Sequence, residues 1–307
     1  TPEVYAKEIQ GREQNIAISG SYTPGSVVKP ATVLMGMHEG VITPTTRLPS
    51  GTIHIGGGRT VRDGGRVSGN ITAKVALQRS SNVFMVGIGE RIVNKYPGSY
   101  LEMFSLFDRY YQMFGLGQKT GIDLPNESIG LRGRDTYYGN LLYMTFGQYH
   151  NYTPIQLAQY VATIANGGYR MQPYLVQEIR TGTDRPGETG QVIWRKTPKA
   201  LNRLPMNPAY IKDVQEGMRL VASPGGTGYH VYQGLPFQVA AKTGTAQTGA
   251  GDNSLILGYA PYDDPEIAFV VVIPKGGAGS AVSGPVSRKI IEAYFGLDQE
   301  QETAERP

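Results

Sequence analysis

Two side chains near the start of the chain have the types and spacing of a nucleophile and its base. Ser26 and Lys29 lie three residues apart where an apolar helix is predicted to begin, so both project from one helix face. A serine hydroxyl attacks a carbonyl when a base accepts its proton, and a desolvated lysine with a lowered pKa can be that base. The Ser26 N–H at a helix start suits a developing oxyanion. The pair predicts acyl transfer, although most Ser-x-x-Lys matches are ordinary helix surface.

A second polar group separates two apolar helical stretches. Ser80, Ser81 and Asn82 form this break, which would present a hydroxyl and an amide to a cleft. By itself the pattern is typical of a turn between helices with a capping residue. The Ser-Ser-Asn break indicates a catalytic site only when other motifs of such a site accompany it.

The tripeptide Lys-Thr-Gly occurs twice. The copy that begins at Lys119 follows a helix end and is predicted to lie in a surface loop. The copy that begins at Lys242 ends an apolar, strand-like stretch. A strand edge can bind an extended peptide through its main chain, and a lysine beside threonine hydroxyls suits a terminal carboxylate. We therefore favour the second copy as substrate-binding, with these residues: Lys242, Thr243, Gly244 and Thr245.

Ser-x-x-Lys, Ser-x-Asn and Lys-Thr-Gly in this order are the signature of serine β-lactamases and penicillin-binding proteins. The combination is far more specific than any one element. There is no Gly-x-Ser-x-Gly elbow, no cysteine, and the four histidines are widely spaced, so thiol chemistry is excluded and no metal or other cofactor is predicted.

The surrounding sequence predicts an α+β fold, with a helical subdomain and an antiparallel sheet flanked by helices. Helices are predicted near residues 26–40, 70–77, 83–94, 99–114, 153–166, 207–223 and 287–295, and strands at 237–245, 254–260 and 268–273. The 307 residues are 40% hydrophobic, enough for a full core. The net charge of +4 comes with no basic run, so no nucleic-acid partner is predicted.

Residues 12–296 resemble class B penicillin-binding proteins, most of all the elongation-type members from Gram-positive bacteria. Besides the three motifs, the resemblance is carried by residues 22–29, 115–125, 146–148, 152–158 and 164–168. It implies a penicillin-binding protein transpeptidase fold, similar to that of serine β-lactamases, over residues 1–296, with a tail at 297–307. The family's strands upstream of the active-site helix, its pedestal domain and its membrane anchor are expected to be missing from this chain.

The resemblance implies the substrate and the roles. Ser26 would attack the penultimate D-Ala carbonyl of a peptidoglycan stem peptide, with Lys29 as base and the N–H groups of Ser26 and Thr245 as oxyanion hole. Ser80 would relay a proton to the leaving group, and Asn82 would position Lys29 or the substrate amide. β-Lactam antibiotics would acylate Ser26. Other proteins of the elongation machinery are implied as partners, at the outer face of the bacterial membrane.

Three alternative functions share these motifs. A serine β-lactamase hydrolyses the acyl-enzyme quickly, a β-lactam sensor uses it as a signal, and a D,D-carboxypeptidase transfers it to water. Residues 115–125 and 152–158 favour the transpeptidase. The choice between an amine and water as acceptor stays open at the level of sequence.

Overall fold

The computed structural model describes residues 14–297, except residues 57, 65, 66, 134, 250 and 278. Helices and short strands fill the first two thirds, and three longer strands with a long helix follow, which confirms the α+β prediction. Residues 14–25 contain one helical turn, α1 (Ile16–Ser19), and no strand of the central sheet. Residues 1–13, on which part of the prediction about upstream strands falls, lie outside the described residues.

A buried helix lies at the centre of the fold. The 3₁₀ helix Gly25–Val28 leads directly into α2 (Lys29–His38). Every residue from Lys29 to Met37 is buried, which explains why the sequence is almost wholly apolar here. Pro30 lies in the first turn, where a backbone N–H would have no helical acceptor, so the lack of an N–H in proline loses no helical hydrogen bond. The predicted buried helix is confirmed.

The other helices of the fold include most of the predicted ones. They are α3 (Ala73–Arg79), α4 (Asn82–Lys95), α5 (Tyr100–Met113), α6 (Tyr138–Met144), α7 (Pro154–Ala165), α8 (Pro208–Val221), α9 (Tyr229–Tyr232) and α10 (Gly279–Phe295). Four of them, α3, α4, α5 and α8, pack against α2. Thr153 and Asn207 cap α7 and α8, since both side chains accept a backbone N–H of the first helical turn. No helix of the described residues is long and apolar enough to span a bilayer.

The central sheet has three antiparallel strands in the order β11-β10-β9. They are β9 (Ala240–Ala246), β10 (Asn253–Ala260) and β11 (Ile267–Ile273). All of β10 is buried because helices cover both faces of the sheet: Leu255 and Leu257 join the core around α2, whereas Ile256 packs with Ile291 of α10. The predicted sheet flanked by helices is therefore confirmed.

Four small antiparallel pairs complete the fold. Before α3, β1 (Leu48–Pro49) pairs with β4 (Asn70–Ile71), and β2 (Thr52–Ile55) pairs with β3 (Arg59–Arg62). After α7, β5 (Tyr169–Met171) pairs with β8 (Ala200–Arg203), and β6 (Glu178–Arg180) pairs with β7 (Val192–Arg195). The first group lies beside the predicted active site.

Three predicted element starts are wrong. The helix predicted from Asn70 begins at Ala73, because Asn70 pairs with Pro49 in a strand, and the strand predicted from residue 237 begins at Ala240. The last helix begins at Gly279 rather than at residue 287. Its first half is rich in small residues that resemble a turn, but they allow close packing: a Cβ on Gly284 would lie 2.6 Å from Val231.

A buried carboxylate ties three helices together. Glu39, at the end of α2, accepts hydrogen bonds from the hydroxyls of Tyr96 and Tyr110 and pairs with Lys95 at 3.3 Å. Burial opposes its ionisation, but these donors outweigh burial and hold the pKa of Glu39 below its usual value of 4.5. The ionised form is therefore the one that stabilises the folded state.

Replacing Glu39 by Gln is expected to lower the free energy of unfolding at pH 7 by about 1–3 kcal/mol, because two buried hydroxyls lose a charged acceptor. A carboxyl with a depressed pKa contributes stability above its unfolded pKa and loses it as the pH falls through the folded value. The difference between wild type and E39Q should therefore shrink below about pH 4.5. Urea unfolding at pH 7 and pH 3.5 checks this, and equal stabilities at pH 7 would contradict it.

Candidate active site

Ser26 lies on a turn that two distant segments clamp. The preceding residue, Gly25, has φ +57° and donates its N–H to the carbonyl of Gly147 at 2.9 Å. A Cβ on Gly25 would stand 2.6 Å from the carbonyl oxygen of Thr245, and one on Gly147 would stand 2.1 Å from that of Gly25. Only glycine fits at both places, so the turn with Ser26 is held directly against β9.

Tyr160 of α7 stabilises the junction between the 3₁₀ helix and α2. Its hydroxyl donates to the carbonyl of Val27 and accepts the N–H of Ala31, both at 3.2 Å. The Ala31 N–H lies in the first turn of α2, where N–H groups have no helical acceptor. Burial raises the pKa of Tyr160 well above its usual value, so the hydroxyl keeps its proton and serves both bonds.

Lys29 is fully buried and surrounded by oxygen acceptors. Its Nζ donates to the carbonyl of Ser80 at 2.7 Å, to Ser80 Oγ at 3.1 Å and to Asn82 Oδ1 at 2.7 Å. Burial removes this amine from bulk water, which is the setting that a lysine base requires. The two motifs therefore meet as hydrogen-bond partners.

Ser80 adopts a conformation that is uncommon for a residue other than glycine. It ends α3 in the left-handed region, with φ 60° and ψ 44°, at a cost of about 1 kcal/mol. The turn points its hydroxyl at two lysines, because Ser80 Oγ accepts from Lys29 at 3.1 Å and from Lys242 at 2.9 Å. Two donors occupy both lone pairs of Oγ, which leaves its own hydrogen for a group in the cleft.

Lys242 is also fully buried, in the middle of β9. Besides Ser80, its Nζ contacts the carbonyl of Thr243 at 2.9 Å. The hydroxyl of Thr243 bonds that of Thr227 at 2.7 Å, and Thr245 Oγ1 accepts the N–H of Gly279 at 2.8 Å. Since Thr245 accepts this bond, its hydroxyl hydrogen remains available to a ligand.

Gly244 faces the nucleophile segment. A Cβ there would stand 2.8 Å from the side chain of Val27 and 3.1 Å from the carbonyl of Pro24. The absence of a side chain at Gly244 would let an extended substrate approach closely. The geometry gives a second reason, since a side chain at this position would push β9 away from the turn that carries Ser26.

These residues line one cleft with a volume of about 1110 Å³. The predicted site residues that line the cleft are Ser26, Ser80, Asn82, Thr243, Gly244 and Thr245. Its other lining residues include Arg59, Arg62, Asp63, Arg79, Tyr143, Thr227 and Gly279, which were not predicted. Lys29 and Lys242 lie beneath this surface and reach it through Ser80. The structure thus brings all eight predicted residues to one place.

Asp63 is the main site residue that sequence reasoning missed. Its buried carboxylate accepts from the N–H groups of Gly51, Asn82 and Val83 and from Ser81 Oγ, at 2.6–3.0 Å. It therefore caps the start of α4, where a negative charge is favourable, and fixes the turn that presents Ser80 and Asn82. In the sequence Asp63 is followed by two glycines, a pattern typical of a surface turn, and nothing there indicates a role in the site.

Thr227 is the second residue that was missed. The glycine-rich segment 225–228 follows α8 as a tight turn. In addition, it lines the cleft and supports β9 through the bond between Thr227 and Thr243. A threonine between glycines carries no sequence signal for this contact.

The first Lys-Thr-Gly copy lies elsewhere, in a loop. Glu127 holds this loop by accepting from the N–H of Thr120, the hydroxyl of Thr120 and the N–H of Gly121. Thr120 is buried and Lys119 is exposed. The copy therefore forms a structural turn, and its lysine does not line the cleft.

Comparison with known proteins identifies the family. Residues 2–292 match the penicillin binding protein transpeptidase domain. The chain is 39% identical to Penicillin-binding protein 2A of Bacillus subtilis, over 93% of this chain and 43% of that protein. It is 28% identical to Peptidoglycan D,D-transpeptidase MrdA of Escherichia coli, over 91% of this chain and 46% of that protein.

A solved structure agrees with these relatives. Penicillin-binding protein 2B of Streptococcus pneumoniae strain R6 has a TM-score of 0.83 and 32% identity, over 92% of this chain and 48% of that one. The chain thus spans about half the length of the relatives that it matches. The resemblance predicted from the motifs is confirmed: this chain belongs to the family of penicillin-binding protein transpeptidase domains, as a relative of the class B, elongation-type members from Gram-positive bacteria.

Proposed function

We propose that this chain is the catalytic domain of a peptidoglycan D,D-transpeptidase that cross-links stem peptides through an acyl-enzyme on Ser26. The observation that carries the proposal is the position of Ser80 Oγ, which accepts hydrogen bonds from both Lys29 and Lys242 in the cleft that Ser26 lines. A serine beside two buried lysines suits proton transfer during acyl transfer. The similarity to Peptidoglycan D,D-transpeptidase MrdA supports the substrate class.

In the first half-reaction, Ser26 Oγ attacks the carbonyl of the penultimate D-Ala. Lys29 reacts as the neutral amine, which donates two of its hydrogen bonds at a time and accepts the hydroxyl proton on its lone pair. The N–H groups of Ser26 and Thr245 stabilise the oxyanion, since the turn of Ser26 lies against β9. As the C–N bond breaks, Ser80 donates its available hydrogen to the leaving D-Ala amine. Lys29, which gained a proton from Ser26, returns one to Ser80 along their hydrogen bond.

In the second half-reaction, the amine of a neighbouring stem peptide attacks the ester carbonyl. Its proton passes to Lys29, the bond between Ser26 Oγ and the acyl carbon breaks, and Ser26 regains a proton. The products are a new amide cross-link and the free enzyme. Nothing is consumed except the D-Ala-D-Ala bond, so the domain needs no external energy source for this step.

The terminal carboxylate of the donor peptide binds along β9. Lys242 supplies positive charge from beneath, and Thr245 has a free hydroxyl hydrogen because its oxygen already accepts from Gly279. One further hydrogen remains on the linked pair of Thr243 and Thr227. Asn82, whose Oδ1 accepts from Lys29, positions that amine.

By the same argument β-lactam antibiotics act as mimics of the donor peptide and acylate Ser26. The family resemblance supports a location at the outer face of the bacterial membrane and a role beside other proteins of the elongation machinery. Both are part of the proposal, since the chain spans about half the length of the relatives that it matches.

A labelled penicillin is expected to attach covalently to Ser26 and to persist for many minutes, because no water-activating base is assigned beside the ester. Peptide mass mapping identifies the modified serine, and a chase with unlabelled drug gives the lifetime. Release within seconds would indicate a β-lactamase instead. An absence of label on Ser26 in folded protein would refute the proposed function.

A further inference from the structure

Arginine side chains dominate the charge of the cleft. Arg59, Arg62 and Arg79 line it, whereas Asp63 is the one acidic residue among its described lining residues. The Asp63 carboxylate is buried and already accepts four hydrogen bonds. The surface that a ligand meets is therefore cationic, beyond the two buried lysines that the proposed reaction uses.

Within the part of the chain that the structure describes, none of these three arginines has a carboxylate within 4.0 Å. Of the eleven other arginines in the described residues, six form ion pairs, such as Arg219 with Glu216 at 2.6 Å. Arginine is the residue best suited to bind a carboxylate through two parallel hydrogen bonds. No acidic side chain of the described residues therefore occupies the carboxylate-binding groups of the three cleft arginines.

Arg59 is held in place before any ligand arrives. Its guanidinium lies 4.9 Å from the ring centre of Tyr137 and 5.3 Å from that of Tyr143, and it donates to Asn140 Oδ1 at 3.0 Å. A guanidinium has five N–H donors, so this bond leaves several for a ligand. Because the rings restrict the side chain, binding costs less conformational entropy than at a free arginine.

Arg62 lies beside a predicted catalytic residue. Its carbonyl accepts from Asn82 Nδ2 at 3.1 Å, so β3 adjoins the Ser80–Asn82 turn. The terminal carboxylate of the donor is assigned to β9, on the segment that contains Thr243 and Thr245. Arg59 of β3 is therefore available for a different negative charge of the same peptide.

Arg59 and Arg62 stand three residues apart in a regular strand, so their side chains project from opposite faces of β3. We propose that Arg59, which lines the cleft together with Asn140 and Tyr143, forms a second anion subsite. This subsite binds a free carboxylate on the donor peptide N-terminal to its D-Ala-D-Ala end. The proposal rests on the proposed function, because it assumes the peptide donor. It adds a specificity: the domain prefers donors whose upstream acidic residue is a free acid over donors in which that group is amidated.

The test uses two N-acetylated peptides that end in D-Ala-D-Ala. They differ only in a γ-linked D-glutamyl residue, whose α-carboxylate is free in one and a carboxamide in the other. For each peptide we measure the concentration that halves the rate of Ser26 acylation by a fluorescent penicillin. The ratio of the two concentrations within one variant cancels any general loss of reactivity.

In the wild type the free acid is expected to compete at about a tenfold lower concentration, since one charge-assisted pair is gained. Arg59→Gln should bring this ratio close to one, whereas Arg62→Gln, which changes a side chain on the opposite face of β3, should keep it near ten. Higher salt should also reduce the wild-type ratio.

Two matched controls remove the same charge elsewhere. Arg185→Gln changes an exposed residue of the β6–β7 connection, and Arg79→Gln changes a cleft arginine next to Gly225 rather than on β3. Both should keep a ratio near ten. Equal competition in the wild type, an unchanged ratio in R59Q, or loss of the ratio in R62Q or R79Q would each overturn the subsite. Failure of penicillin to acylate wild-type Ser26 would instead refute the proposed function.

Discussion

Lys29→Ala is expected to slow the acylation of Ser26 by labelled penicillin by about 10³- to 10⁴-fold, because it removes the proposed base. The wild-type amine contacts Ser80 and Asn82 through three hydrogen bonds, so the variant also weakens the placement of both. Stopped-flow or gel-based labelling gives the rate, and near-UV circular dichroism shows whether the protein is folded. Normal labelling of folded K29A would remove Lys29 from the mechanism.

Two further variants separate the base from the charge. Lys29→Arg keeps a positive charge but cannot give up its proton at neutral pH, so it should be nearly as slow as K29A. Lys119→Ala removes the lysine of the other Lys-Thr-Gly copy, which is exposed and lies in a loop, and should label at the wild-type rate. Rapid labelling of K29R would indicate that Lys29 acts through its charge alone.

Asp63→Asn is expected to slow the acylation of Ser26 by about 10²-fold, although Asp63 does not touch the reacting atoms. The carboxylate accepts from the N–H groups of Asn82 and Val83 and from the hydroxyl of Ser81. Asparagine has an NH₂ group in place of one carboxylate oxygen, and this donor would face groups that also donate. The turn should shift, and a displacement of about 1 Å in a catalytic group costs about this factor. Labelling rates measured on folded protein check it.

A matched carboxylate serves as the control. Asp123 also accepts two backbone N–H groups, those of Leu175 and Val176, at 2.8 and 3.0 Å, but it does not line the cleft. Asp123→Asn should therefore label at the wild-type rate, whatever it does to the melting temperature. If D63N and D123N labelled equally fast, Asp63 would be a purely structural cap.

The catalytic motifs and the larger elements could be predicted because their signals are local. Ser26 and Lys29 stand at a helix start that the apolar run reveals, and the choice of Lys242 over Lys119 followed from the strand-like residues before it. The caps at Thr153 and Asn207 depend only on neighbouring residues. Such features are contained in windows of about ten residues, where pattern reasoning works well.

The support of the site could not be predicted because it depends on contacts between distant segments. Asp63 serves a helix start that lies well downstream in the chain, and Thr227 meets Thr243 only after α8 has packed. The early start of α10 has the same origin, since tight packing of Gly284 against Val231 overrides the low helix propensity of its small residues. No single stretch of sequence contains these constraints.

The glycine contacts around Ser26 have a consequence for how the domain opens. Gly25 meets Gly147 and Thr245, so the nucleophile turn is complete only when three segments far apart in sequence have docked. Contacts of this kind form late and are lost only in large cooperative openings. Exchange of the Gly25 amide hydrogen with solvent should therefore be about as slow as that of the central strand β10, and an acyl group on Ser26 that also contacts β9 would slow both together.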